Sequence, residues 1–330
     1  MSFSDLPKEL YDTYILPHVV RPPMKLLDWI PNDFYDSYSR FLSGNSNALD
    51  ILKEKPEGIC WMSLANNKNP DIIDFIKENL DKIDWIYLSS NQNAIDILIN
   101  QIVINPDKIN WERLSANSNA IDILKKNLDK INWTFLSANT NAIDILKNNL
   151  DKVDWGFLSE NPNAIDILIN QMVINSDKIE WDYLSRNPNA IDMLKNQMVM
   201  NPDKINWKYL SGNPNAIDIL ENNLDKIDWS YLSRNPNAID ILKNNLDKVN
   251  WKWLSGNKNA IDILINQMVI NPDKINWREL SGNPNAIDML KANSHRINWE
   301  NLSSNPNIFE IDHVKWRKKI DDFYYKYIMI

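Results

Sequence analysis

A chain with one cysteine, three histidines and six glycines has few of the residues from which compact chemical sites are built. The lone Cys60 excludes an internal disulfide framework and fits a reducing compartment. His18, His295 and His313 are far apart, and none stands at a metal-ligand spacing from Cys60. No glycine-rich phosphate loop, nucleophile elbow or paired-cysteine motif occurs. No apolar run approaches the roughly 20 residues that a membrane span needs. Met1–Leu10 is polar and lacks the apolar core of a secretory signal, so the sequons at Asn132 and Asn301 carry little weight. A basic block is missing too. The net charge is −8, with acids and bases interspersed as Asp-Lys neighbours, which argues against nucleic acid and anionic membrane as partners. These absences predict a non-enzyme with no cofactor and no bound metal.

What the chain has is a repeat. A unit of about 22 residues, D-K-I-N-W-x-x-L-S-x-N-P-N-A-I-D-I-L-x-x-N in its best-kept form, recurs almost end to end. Its tryptophans are Trp61, Trp85, Trp111, Trp133, Trp155, Trp181, Trp207, Trp229, Trp251, Trp277 and Trp299. A fixed period of this length belongs to solenoids, whose units bury their apolar faces against each other.

One unit reads as two short helices. In Asp203–Asn223, Ile205, Trp207 and Leu210 are the apolar positions of the first helix. Asn213-Pro214 then ends it and opens the second, with Asn as N-cap and Pro at the first helical position. Ala216, Ile217, Ile219, Leu220 and Leu224 form an apolar set at helical spacing. Neither helix is long enough to be stable alone, so neighbours must supply the burial. The predicted fold is all-α: an α-solenoid of about twelve helix-pair repeats, extending on the order of 100 Å at layers roughly 8–10 Å apart. Strict alternation is absent and glycine is rare, which weighs against a β-solenoid.

A second period lies inside the first. From Trp85 the tryptophan spacings are 26, 22, 22, 26, 26, 22, 22, 26 and 22 residues, so the order 26-22-22-26 occurs twice. The long units gain four residues at one place: Gln101–Ile104, Gln171–Ile174, Gln197–Met200 and Gln267–Ile270. Four residues add about one turn to the second helix. After the glutamine the added residues are apolar, and the first expectation is that successive added turns pack on one another. An adaptable Met-rich contact surface is the alternative.

Repetition also produces ladders. Asparagines at Asn139, Asn161, Asn187, Asn213, Asn235 and Asn257, with a second set two residues later, read as stacked amides and helix caps. Asp122, Asp144, Asp166, Asp192, Asp218, Asp240 and Asp262 form a row of carboxylates; Lys130, Lys152, Lys178, Lys204, Lys226 and Lys248 recur at the same period. The expected arrangement is charge pairing or a solvated face rather than a Ca²⁺ site. Two residues after each core Trp stand Tyr87, Arg113, Phe135, Phe157, Tyr183, Tyr209, Tyr231, Trp253, Glu279 and Asn301. Arg113, Glu279 and Asn301 would be costly if fully buried, so this position should be partly exposed. Tyr87, Phe135, Phe157, Tyr183, Tyr209, Tyr231 and Trp253 are therefore the candidate partner-binding strip. Packing between neighbouring first helices is the competing account.

The expected organisation is an N-terminal cap over residues 1–40 with a worn repeat start, an array over 41–307, and an amphipathic capping helix over 308–330. In the last segment Trp316, Ile320, Phe323, Tyr324 and Tyr327 fall at helical spacing. Lys315, Arg317, Lys318 and Lys319 read as its solvated face.

The repeated Ile-Asn-Trp-x-x-Leu-Ser-x-Asn-Pro-Asn-Ala-Ile-Asp core, the opening Leu26-Leu27-Asp28-Trp29-Ile30-Pro31 and the closing Ser304-Asn305-Pro306-Asn307-Ile308-Phe309-Glu310 resemble the repeat proteins of large DNA viruses of the mimivirus type. The resemblance spans nearly the whole chain, departing at Ser39 and Ala65, where Trp and Ser are expected. It supplies no catalytic motif and implies a place in the host-cell cytoplasm or the virion, not secretion. The expected function is a scaffold that binds a protein partner along the solenoid face. Self-association into a structural virion component is a second reading. A third is an adaptor in which Leu6–Ile30, with its Leu-Pro-x-Glu-Leu start, acts as a degenerate F-box.

Overall fold

The computed structural model describes residues 21–327, without the side chains of Tyr324–Tyr327. The chain is an all-α solenoid of helix pairs, with two three-residue strands as its only extended elements among those residues. Most of the proposed F-box-like segment, and the side chains of Tyr324 and Tyr327, lie outside the described part.

Each tryptophan opens a first helix of four to six residues, such as Trp133–Ala138 or Trp207–Ser211. The residue before it is the cap. Asn132 Oδ1 accepts from the Phe135 amide at 3.2 Å, and Asp154 Oδ1 from Phe157 at 3.1 Å. Hence the repeat reads Ile-Asn-Trp or Ile-Asp-Trp. The second helix starts later than the sequence suggests. It runs from Ile217 to Glu221 in the unit of Trp207, and Asn213-Pro214-Asn215 precedes it as a turn. The Asn213 side chain accepts from the Asn215 amide at 3.0 Å. The Asn-Pro pair is an Asx-turn rather than a helix start.

Neighbouring units are joined chiefly by asparagine. Asn161 Nδ2 donates to the carbonyls of Ser137 at 2.9 Å and Asn139 at 3.2 Å in the preceding unit. The second asparagine, Asn163, donates to the Thr140 carbonyl at 2.9 Å. The repeated serine adds a third link. Ser137 Oγ donates to the Trp133 carbonyl and accepts from the Asp154 amide of the next unit. The first asparagines are buried, so these bonds satisfy polar groups that water does not reach.

The ladder does not end. Its twelve rungs are Asn45, Asn67, Asn91, Asn117, Asn139, Asn161, Asn187, Asn213, Asn235, Asn257, Asn283 and Asn305, and each donates to the unit before it. The unit before Asn45 is the last one: Asn45 Nδ2 donates to Ser303 and Asn305 at 2.9 and 3.0 Å. Asn47 repeats the link to Pro306 at 2.9 Å. The array is a closed ring, not an open rod with two separate caps. We number its units 1 to 12 by these asparagines.

The chain ends complete the ring together. Strand β1 (Met24–Leu26) pairs antiparallel with β2 (Phe309–Ile311), which stands where unit 12 would have its second helix. Trp29 and Phe34 pack on Trp299, with ring centroids 6.4 and 5.9 Å apart. The terminal helix His313–Tyr327 lies against unit 1, where Lys315 pairs with Glu54 and Lys319 with Asp50. Two cations of the expected solvated face thus hold the closure.

Most successive first helices pack along their length, whereas no two successive second helices approach as closely. At equal angular steps the closer set has the smaller radius, so the first helices form the inner circle. Twelve helices about 8–10 Å apart enclose an opening of roughly 20–25 Å once helix thickness is removed.

Candidate functional site

In the first helices that open on Trp, the Leu after Trp-x-x and the Ser that follows it (Ala65 in unit 2) are buried against the rest of the array. The opposite face therefore looks into the ring. It carries the residues one, two and five positions after Trp, and the expected binding strip lies on it. Phe135 is 37% exposed, and Tyr87, Phe157, Tyr183, Tyr209, Tyr231 and Trp253 are half-buried. They are neither core nor free: each covers part of the inner wall.

Five of the seven form one band. Phe157 and Tyr183 have ring centroids 6.0 Å apart, and Tyr209 and Tyr231 5.8 Å. The gaps between these pairs hold arginines. The Arg186 guanidinium lies 5.7 Å from the Tyr183 ring and 3.7 Å from Tyr209. Arg234 lies 5.9 Å from Tyr231 and 3.1 Å from Trp253. Lys208 and Lys252 approach the Tyr231 and Trp253 rings at 5.3 and 4.7 Å. Gly156 makes room for one of these rings, since a Cβ there would stand 3.3 Å from Tyr183 Cε2. Phe135 stands outside the band. Tyr87 does too, stacked instead under Arg113 at 4.7 Å. Sequence reasoning missed Arg186 and Arg234. Their signal was position: both come five residues after Trp, directly before the ladder asparagine.

Of the two expected arrangements, charge pairing and a solvated face, the aspartate row takes the second. Lys130, Lys152, Lys178, Lys204, Lys226 and Lys248 do not partner the Asp122–Asp262 row. Each lies over the Trp of the preceding unit at 4.8 to 5.6 Å, as Lys152 does over Trp133 at 5.1 Å. The ammonium offsets the exposed indole face. The aspartates stand exposed on the second helices, and no group of three metal-binding side chains forms among the described residues.

The added turns also depart from expectation. Gln101, Gln171, Gln197 and Gln267 fold inward and donate to the carbonyl of the residue that ends each long helix, at 3.0 to 3.2 Å. Ile102, Met172, Met198 and Met268 lean on the core. The last two residues of each insert point away. Val103, Val173, Val199 and Val269 are 82 to 87% exposed, and Ile104, Ile174, Met200 and Ile270 are 63 to 77% exposed. They do not pack on one another even where two long units, 6 and 7, are adjacent, because the outer circle spaces the helices too widely. The ring thus carries four apolar ridges, at units 3, 6, 7 and 10.

No described helix is long and apolar enough to cross a membrane. No protein-family model, curated protein or solved structure matches the chain.

Proposed function

We propose that the chain is a non-enzymatic ring scaffold that holds a protein partner against its inner wall. The observation that supports this reading is the band Phe157–Tyr183–Arg186–Tyr209–Tyr231–Arg234–Trp253, a continuous aromatic and guanidinium surface facing an opening. Tyr, Trp and Arg are the residues that most often anchor protein interfaces. Nothing in the packing of the units requires them, because Arg113, Glu279 and Asn301 serve at the same repeat position. By its resemblance to giant-virus repeat proteins, the ring acts in the host-cell cytoplasm or in the virion. The test is to change Phe157, Tyr183, Tyr209 and Tyr231 to Ser together and compare affinity capture from infected cells with that of the wild type. We expect the fold to be kept and a specific partner to be lost. Loss of the fold, or capture identical to the wild type, would sink the reading.

A second reading, self-association into a structural assembly, draws on the four ridges, three ending in Val-Ile and one in Val-Met, whose apolar side chains stand largely in solvent. Light scattering across concentration separates it from the first.

A further inference from the structure

Resting on the reading of the inner wall as a binding surface, we infer that the sector of units 7 to 10 receives an acidic, extended polypeptide segment. The chain as a whole is acidic, at −8. Yet this stretch of the wall carries Arg186, Lys208, Arg234 and Lys252 between two acidic ends, Glu160 and Glu279. Arg186 has one partner, Glu160, at 3.6 Å. No carboxylate among the described residues lies within salt-bridge distance of Lys208, Arg234 or Lys252. Asp182, the acid at a wall position of this sector, accepts from Asn206 Nδ2 at 2.8 Å, while Glu180 and Asp228 stand directly before Trp181 and Trp229. Three of the four cations thus have no carboxylate partner among the described residues, and such a stretch in a negatively charged ring selects a local anion.

The stacking says which anion. The guanidinium carbons of Arg186 and Arg234 stand 3.7 and 3.1 Å from the Tyr209 and Trp253 ring centres, and a guanidinium over a ring can still offer carboxylates its N–H fork. It also covers the ring face on which a base would stack, so single-stranded nucleic acid, which binds through open aromatic faces, is disfavoured. Units repeat about every 8–10 Å, and an extended chain advances about 3.3 Å per residue. One carboxylate in about every three residues then matches the wall's period.

The probe is a fluorescein-labelled peptide of five Glu-Gly-Ser repeats, read by fluorescence anisotropy on the full chain at low salt. Its Gln-Gly-Ser counterpart and a labelled oligothymidylate of similar length are the comparisons. We expect the Glu peptide to bind at least ten-fold more tightly than either. Arg234→Gln with Lys252→Gln should weaken it at least ten-fold at an unchanged thermal midpoint, while Arg113→Gln, outside the sector, leaves it unaltered. Equal binding of the Glu and Gln peptides, no binding of the Glu peptide, or preference for the oligothymidylate overturns the inference. If the captured partner is lost in the four-Ser variant but kept in the Arg234/Lys252 variant, the acidic assignment fails and the binding wall stands.

Discussion

Asn45 and Asn305 are 260 residues apart, yet Asn45 Nδ2 donates to the Asn305 carbonyl at 3.0 Å. It is the bond that Asn161 makes to Asn139, one unit away, at 3.2 Å. The closure is therefore one more copy of the repeat interface, and the two sites should respond alike to the same change. Asn45→Ala and Asn161→Ala each take the side-chain donor from a buried serine carbonyl and one of two donors from an asparagine carbonyl, and each also removes the acceptor of an Asx-turn. Each should lower unfolding free energy by about 2–3 kcal/mol, measured in urea. A negligible effect at Asn45 alone would mean that the ring stands open.

Closure can also be trapped covalently. Lys25 and Glu310 are register partners across β1 and β2. Paired strand residues have Cα atoms about 4.5–5.5 Å apart, within reach of a disulfide. Lys25→Cys with Glu310→Cys, in a Cys60→Ala background, should oxidise without denaturant and raise the thermal midpoint. The loop is nearly the whole chain, so the chain-entropy gain is at most about 6 kcal/mol. Failure to form the bond in the folded state would contradict the strand pairing.

The clasp carries its own pH dependence. Lys25 Nζ donates to Asp28 Oδ1 at 2.8 Å, and this bond, reinforced by the ammonium charge, holds the Asp28 carboxyl below the usual carboxylate range. A carboxyl whose folded value is lowered stabilises at neutral pH and loses that contribution as pH falls through the folded value. The pair is exposed, so the effect is small. Asp28→Asn should melt slightly below the wild type at pH 7, and the two should coincide well below about pH 4.

The repeat, the helix pairs and the half-exposure of the residue two after Trp were legible in the sequence, because all three follow from a strict local period. The ring was not. Curvature comes from a small difference in spacing between Trp helices and Ile-Asp-Ile-Leu helices, and no single unit encodes the sum of twelve such steps. A clue was present in the ends: Phe309-Glu310-Ile311 breaks the helical pattern just where Met24-Lys25-Leu26 arrives to pair with it. Nor was the lysine placement legible. Asp-Lys periodicity suggests charge pairs, but the lysines serve the tryptophans of the neighbouring unit. Arg186 and Arg234 escaped notice because their repeat position mostly holds Ala, Gly or Ser, with Asn66 and Glu160 as the other exceptions, and only stacking distances reveal that they bridge the aromatic pairs.

Length variation should be separable from ring closure. Deleting Gln197–Met200 recreates the short-unit pattern, since Lys195-Asn196 then joins Asn201-Pro202-Asp203-Lys204. The asparagine that remains can cap the shortened helix as Asn149 does, donating to the Ile145 carbonyl at 2.9 Å. Long and short units use the same ladder: Asn187 reaches back across long unit 6 to Asn161, and Asn161 across short unit 5 to Asn139. The deletion should fold with about one helical turn less by circular dichroism and lose no more than about 1 kcal/mol. Collapse of the fold would show that the long units are needed for ring geometry.

The ridges are the part of the surface least explained by folding. Val173 and Val199 are 85 and 87% exposed, so polar replacements there remove almost no buried area. Changing the four Val of the inserts to Thr, and Ile104, Ile174, Met200 and Ile270 to Gln, should leave stability within about 0.5 kcal/mol per site. Light scattering gives the second readout. If the ridges drive assembly, the wild type gains mass with concentration and the eight-site variant stays a monomer at every concentration. A wild type that is already monomeric at high micromolar concentration rules out self-association through the ridges. A substantial fall in the variant's thermal midpoint would instead mean that these side chains are packed in solution.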